Sequence, residues 1–285
     1  MTFQALVIQA RHELESAGVS TSTAVLDAEL LARHVMRWDR ATWLTRRMDA
    51  ADEQFSHDYA AVIARRTARE PAAYIRGVQE FWGREFLVTP AVLIPRPETE
   101  LTIEVAQSFL RDRPDALVVD IGTGSGCIAI TLALEHPLAR VYATDISAEA
   151  LAVARTNARR LGSDCIRFVQ GAYLADVPSP IDLIVTNPPY VAGADRRALA
   201  PEVRDFEPAV ALFGGDDGLD EVKAILDRSW RVLAADGRLI MEIGYGQDDR
   251  VTAATDSVPE LVLEEMRVDL QGIPRVAVIR RLRAS

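Results

Sequence analysis

Cysteine and histidine are scarce in this chain of 285 residues: Cys127 and Cys165 are the two cysteines, and the four histidines stand at 12, 34, 57 and 136. Metal centres draw mainly on these residue types at close spacing, and nothing of that kind is present. At most one disulfide is available, and both cysteines read as buried thiols in a reducing cytoplasm. No stretch approaches the roughly 18 uninterrupted apolar residues of a membrane span. The start, Met1-Thr2-Phe3-Gln4, lacks the basic residues and apolar run of a secretory leader. The sequence therefore predicts a cytoplasmic protein. Lysine is nearly missing, with Lys223 alone among 32 basic side chains. So uniform a preference for arginine points to genome composition more than to a binding design. The net charge of -10 opposes nonspecific adhesion to nucleic acid, which needs a basic face to replace phosphate counterions.

Hydrophobic residues make up 49% and charged residues 26%, enough for a buried core, and the length suits two compact units. Residues 1–76 contain one proline and one glycine and repeat apolar residues at helical spacing, as at Leu26, Leu30, Leu31 and Val35, and at Phe55, Tyr59, Val62 and Ile63. This predicts a small helical domain, with Ser22 or Thr23 capping its second helix, Asp52 capping a later one and Pro71 opening the last. Residues 77–100 turn to aromatic and β-branched residues broken by glycine and proline, which predicts a short hairpin linker with Phe81 and Trp82 packing between domains. From 101 to 285, apolar runs at 116–121, 141–144, 166–169, 181–186 and 239–243 alternate with helical segments. That pattern predicts an α/β domain with a mainly parallel sheet covered on both faces. The runs at 261–264 and 275–279 have no helix between them and predict an antiparallel C-terminal strand pair.

The first of these strands ends in Asp120-Ile121-Gly122-Thr123-Gly124-Ser125-Gly126. A glycine-rich turn between strand and helix lets a ligand approach bare backbone. Its G-x-G-x-G spacing is neither the dinucleotide fingerprint nor a P-loop. Asp145 ends the second strand, 23 residues after Gly122, where a carboxylate can accept both hydroxyls of a ribose. Loop and acid together fit a nucleoside ligand, and the lack of a cation in the loop suits one without pyrophosphate, such as S-adenosylmethionine. Two plainer readings stand beside this one: a glycine turn that serves helix packing alone, and Asp145 as a helix cap.

The strand at 181–186 runs into Asn187-Pro188-Pro189-Tyr190. Two prolines cannot extend a sheet ladder, so the strand stops, and Asn187 is held out of the α region at the carboxyl edge of the sheet. Open parallel sheets place ligands at that edge. The Asn187 side-chain oxygen and the Pro188 carbonyl are two acceptors that can take both hydrogens of a planar amino group, while Tyr190 can stack on a planar substrate. Such acceptors return electron density to an amide nitrogen whose lone pair is delocalised, and methyl transfer from a sulfonium then depends largely on positioning. Asp182, at the start of this strand, reads as a partner for backbone.

With these motifs in their surroundings, the chain resembles the peptide chain release factor N5-glutamine methyltransferases over nearly its whole length. The likeness extends through Glu70-Pro71-Ala72-Ala73-Tyr74-Ile75-Arg76-Gly77, Phe81-Trp82-Gly83, Leu93-Ile94-Pro95-Arg96-Pro97-Glu98-Thr99-Glu100, Glu207-Pro208 and Gly214-Gly215-Asp216-Asp217-Gly218-Leu219. The resemblance implies a Rossmann-like class I methyltransferase domain, S-adenosylmethionine as methyl donor and S-adenosylhomocysteine as product. It also implies transfer to the glutamine of the Gly-Gly-Gln loop of class 1 release factors, with no membrane or nucleic acid partner, by a monomer whose helical domain helps to hold the factor. Gly122, Thr123, Gly124, Ser125, Gly126, Asp145, Tyr173 and Asn187 match donor-binding positions, and Asn187, Pro188, Pro189 and Tyr190 match catalytic ones. Ala172 departs from the pattern, standing where an acidic residue expected to meet the adenine amino group usually precedes the aromatic. The tetrapeptide alone is shared with DNA and RNA amino-group methyltransferases, which form the alternative reading.

Overall fold

The computed structural model describes residues 1–283. The chain forms two compact units, one made of Met1–Val78 with Ala200–Phe206, the other of Gln79–Leu199 with the chain from Glu207 onward.

The first unit holds α1 (Phe3–Ser16), α2 (Thr21–Met36), α3 (Arg40–Arg46), α4 (Glu53–Thr67) and α5 (Ala72–Arg76). Side-chain oxygens of Thr2, Ser20, Asp39 and Asp52 accept from the amides of Ala5, Thr23, Thr42 and Phe55, so four helices start on capping bonds worth about 1 kcal/mol each. Asp52 caps as its sequence predicts. The cap of α2 is Ser20, not Ser22 or Thr23, because burial of both Val19 and Ala24 begins the helix earlier. Its buried face also differs from the apolar spacing: Leu26 is 69% exposed, while Ala24, Asp27, Ala28, Leu31 and Ala32 are buried. Asp27 belongs to that face because Arg66 of α4 meets it there. Phe3, Leu14, Leu31, Trp43, Phe55 and Tyr59 fill the core, and the Tyr59 hydroxyl donates to the Ala28 carbonyl at 2.8 Å.

The second unit opens with the hairpin β1 (Val78–Phe81) and β2 (Arg84–Leu87), then α6 (Glu100–Leu110). There follow β3 (Leu117–Ile121), α7 (Cys127–Glu135), β4 (Arg140–Asp145), α8 (Ala148–Leu161), β5 (Arg167–Gln170) and β6 (Ile181–Thr186); the chain then gives the short α9 (Pro201–Phe206) to the first unit and returns with α10 (Asp220–Val232), β7 (Leu233–Glu242), α11 (Asp248–Asp256), β8 (Leu261–Val268) and β9 (Pro274–Arg281). The strand order is β5-β4-β3-β6-β7-β9-β8, parallel from β5 to β7 and antiparallel across β7, β9 and β8. The α/β class and the antiparallel C-terminal pair therefore stand as the sequence predicts.

One sheet face packs against α6 and α7, the other against α10 and α11. Phe81 and Phe86 of the hairpin are buried in the first of these cores, with Trp82 packed against it. Asp182 accepts from the Leu117 amide at 2.8 Å, the backbone role read for it. Cys127 is buried and its thiol is pushed up to about 12 by burial, whereas Cys165 is exposed, contrary to expectation, because it lies in the turn before β5.

The segment carrying α9 is the fold's least foreseeable feature. It lies far along the chain from the other helices of the first unit, yet Glu202 receives hydrogen bonds from Arg66 at 2.8 Å and from Arg69 at 2.6 and 2.9 Å. No helix among the described residues is long and apolar enough to cross a membrane.

Candidate active site

The sheet reverses its order of connection at β3, which lies between β4 and β6. Open α/β sheets form their ligand crevice at such a switch point, beyond the carboxyl ends of the strands. A cavity of about 310 Å³ occupies that place, with Gly122, Thr123, Gly124, Ser125, Asp145, Tyr173, Asn187, Pro188 and Pro189 in its wall.

The loop after β3 is held from three sides. The amides of Gly122 and Thr123 both donate to the Thr144 carbonyl at 2.9 Å, continuing the β3–β4 pairing past the strand. The Thr123 hydroxyl donates to the buried Asp120 carboxylate at 2.6 Å. Asn157 of α8 donates to the carbonyls of Ser125 and Leu87, each at 2.9 Å, tying the loop to the hairpin. Burial pushes the Asp120 carboxyl up to about 7. Gly122 and Gly124 adopt φ of +70° and +54°, a region costly to any residue with a Cβ, and both line the cavity. Gly126 does not line it. A Cβ there would stand 2.7 Å from the Ile130 side chain and 3.2 Å from Ala154, so this glycine lets α7 and α8 approach closely.

Asp145 binds the Gly124 amide with one carboxylate oxygen and the Ser147 amide with the other, both at 2.9 Å. The cap of α8 is Ser147, whose hydroxyl accepts from the Ala150 amide at 3.1 Å, so Asp145 is not the helix cap. Each carboxylate oxygen keeps a further lone pair, which leaves capacity for a vicinal diol. Tyr173 lies in the wall at a φ of +55°, with the Arg228 guanidinium 4.2 Å from its ring centre. The Thr144 hydroxyl donates to its carbonyl at 2.6 Å. Ala172 leaves its own position without a carboxylate, but Glu221 of α10, hydrogen-bonded to the Tyr173 side chain, lines the same cavity.

At the end of β6, the Thr186 hydroxyl donates to the Ile121 carbonyl at 2.9 Å, which fixes the two strand ends side by side. Asn187 follows, and its Nδ2 donates to the Thr99 hydroxyl at 3.1 Å. Thr99 donates in turn to the Glu242 carboxylate at 2.6 Å, and the Tyr190 hydroxyl reaches the other oxygen of Glu242 at 3.3 Å. Tyr190 is not among the residues of the cavity wall. Its phenol is satisfied by a buried acid, and burial also raises its pKa.

The carbonyl of Tyr190 accepts from Gln247 Nε2 at 2.9 Å. A Cβ on Gly214 would stand 2.4 Å from the Pro189 carbonyl oxygen, and one on Gly218 would stand 2.4 Å from that of Tyr190. Two glycines from one turn therefore clasp the tetrapeptide backbone. Arg96 also lines the cavity, paired with Glu207, whose carboxylate receives the Ile94 amide at 3.2 Å.

Comparison with known proteins decides the family. Residues 102–203 match the model of the methyltransferase small domain, and residues 5–77 match that of the PrmC N-terminal domain. The chain is 43% identical to a release factor glutamine methyltransferase of Koribacter versatilis, covering 99% of each chain. The chain belongs to the release factor glutamine methyltransferase family. A second family member, from Nitratidesulfovibrio vulgaris, is 41% identical over 98% of this chain and 95% of its own. Among solved structures, a methyltransferase from Pyrococcus furiosus shares the fold at a TM-score of 0.52 and 18% identity, over 78% of this chain and 96% of that one. Thr99, Glu242, Gly214, Gly218 and Gln247, which support Asn187–Tyr190, are residues to which the sequence motifs assign no role.

Proposed function

We propose that this chain transfers a methyl group from S-adenosylmethionine to the side-chain amide nitrogen of the glutamine in the Gly-Gly-Gln loop of class 1 release factors. The observation that carries the reading is the shared cavity, where the glycine loop and Asp145 form one part of the wall and Asn187 and the two prolines another. The residues present fit the donor: bare backbone at Gly122 and Gly124 suits close approach, and Asp145 suits a ribose diol. When bound there, S-adenosylmethionine supplies an electrophilic methyl group on sulfonium.

The rest is done by the chain itself. An amide nitrogen is a weak nucleophile, and Asn187 Oδ1 with the Pro188 carbonyl can accept its two protons, fixing the plane of the amide and enriching the nitrogen. As the new carbon–nitrogen bond forms and the methyl–sulfur bond breaks, the nitrogen becomes cationic, and one of its protons passes to bulk solvent once the methylated side chain leaves the cavity. The apolar residues of the wall, Val92, Ile128 and Ile225 among them, restrict water around the reacting atoms. Class 1 release factors act where ribosomes do, which supports a cytoplasmic enzyme.

The test is incubation with labelled methyl donor and purified release factors, followed by mass spectrometry. A methyl group on the Gly-Gly-Gln glutamine is the expected outcome. Label confined to DNA or RNA would favour the amino-group methyltransferases that share the tetrapeptide and would overturn the reading. Gly214→Ala is expected to push on the Pro189 carbonyl, lowering kcat/KM by on the order of 100-fold through misplacement, and stability by about 1–3 kcal/mol through overpacking. Steady-state kinetics and thermal unfolding of that variant measure both.

A further inference from the structure

An asparagine can act as the acceptor required above only if its amide faces the right way. Oxygen and NH2 have nearly the same shape, and a half-turn about the last bond would present donors where an acceptor is needed. We propose that Thr99 and Glu242 are positioning residues that lock the Asn187 amide with its oxygen toward the substrate, an inference that rests on the reading of Asn187 just given.

The lock follows from proton counting. Thr99 has one hydroxyl proton, and it lies on the 2.6 Å bond to Glu242. An ionised carboxylate is an acceptor only, so Thr99 must donate to it and can only accept from Asn187. Nδ2 therefore turns to Thr99, at 3.1 Å, and Oδ1 turns away from it. The second oxygen of Glu242 is engaged by Tyr190 at 3.3 Å, so the same carboxylate holds two members of one hydrogen-bond chain.

Glu242 does not line the cavity, and it follows Leu239, Ile240 and Met241 on a strand where each is fully buried. A carboxylate so placed costs several kcal/mol relative to an apolar residue unless its bonds return it. Burial pushes Glu242 up to about 7. Around it, Thr99 and Tyr190 donate hydrogen bonds, Glu98 repels and raises it, Arg275 attracts and lowers it, and the neutral Cys127 thiol lies within its field. Once protonated, Glu242 can donate to Thr99, freeing the Thr99 proton to seek Asn187 Oδ1, and the amide turns over. Acid should therefore weaken the enzyme from neutrality downward.

Two measurements on the full chain test this. The first is kcat/KM with S-adenosylmethionine and release factor for wild type, Thr99→Val, Thr99→Ser and Glu242→Gln between pH 6 and 9, with donor affinity by calorimetry and folding by thermal unfolding. Thr99→Val is expected to lose on the order of 30- to 100-fold in kcat/KM with donor affinity within about threefold, while Thr99→Ser stays within about threefold of wild type. Wild type should fall off below pH of about 7, and Glu242→Gln should lack that acid limb. The second measurement needs no turnover: the Asn187 side-chain NH2 signals in nitrogen-15 NMR, assigned by their loss in Asn187→Ala, should titrate with the same midpoint in wild type and not in Glu242→Gln. Signals that do not titrate in wild type, an acid limb kept by Glu242→Gln, or equal impairment of folded Thr99→Ser and Thr99→Val would each overturn the lock. A wild-type protein that methylates no release factor refutes the proposed function instead, and leaves the NMR result to judge the lock.

Discussion

Asn187→Ala is expected to lower kcat/KM toward a release factor by on the order of 100- to 1000-fold, the cost of deleting one preorganised polar contact to a reacting group. The structure predicts little else from the change. Asn187 is only half-buried, and the one bond its side chain donates, to Thr99 at 3.1 Å, is worth about 1 kcal/mol to the fold. Thr99 keeps its own bond to Glu242 when that partner is gone. The melting temperature should therefore fall by no more than a few degrees. Donor affinity should change little, because Gly122, Gly124 and Asp145 are untouched. Calorimetric titration with the donor, alongside steady-state rates, separates these effects. A variant that fails to fold, or one that binds the donor far more weakly, would show that the asparagine supports the site's architecture and not the substrate amide.

The features legible from sequence were those whose chemistry is local in the chain. Three glycines directly after an apolar run, and two prolines directly after another, each dictate a backbone that few other sequences adopt, and both lie at the cavity or beside it. Thr99 was hidden by its neighbours. It lies in a connector dense in charge, with Arg96, Glu98 and Glu100 around it, yet Glu98 is exposed, Glu100 accepts from the Trp82 amide at 2.7 Å, and the uncharged Thr99 between them is buried against Glu242. Glu242 was equally hidden, as the single charge in the apolar run at 239–243. Its partners lie 143 and 52 positions away, a separation that no spacing rule covers. The bond from the Tyr190 hydroxyl to Glu242 is likewise invisible in the tetrapeptide, because the buried acid comes from a distant strand. In α2, the apolar Leu26 suggested the core face, and the charged Asp27 occupies it because its partner arrives from α4.

That buried pair sets the largest stability effect expected of the chain. Arg66 is 2% exposed, and it donates to Asp27 at 2.7 Å and to Glu202 of α9 at 2.8 Å. Arg66→Met keeps much of the side-chain volume and removes the charge. Glu202 retains Arg69, which holds it at 2.6 and 2.9 Å; burial alone would raise this carboxyl, and the two arginines keep it below its ordinary value. Asp27 has no such second cation among its described bonds. Burial already raises it despite Arg66, so the variant leaves a carboxylate desolvated and uncompensated. Removing one partner of a buried pair costs about 3–5 kcal/mol, which in a helical unit of this size lowers the melting temperature by roughly 15 °C or more. The pH dependence carries the signature. Without Arg66, the folded-state pKa of Asp27 rises further above its unfolded value, so the variant's stability is greatest below that unfolded value and is lost as pH climbs through the folded one. The deficit against wild type should therefore be widest at neutrality and narrow steadily toward pH of about 4. Asp27→Leu combined with Arg66→Met removes both charges and should recover more than half of the loss, since apolar replacement of a whole buried pair is often neutral. Thermal unfolding of the three proteins across that pH range decides the matter: a single variant that melts within about 2 °C of wild type at neutral pH would mean that water reaches Asp27 and that α9 is held by Arg69 alone.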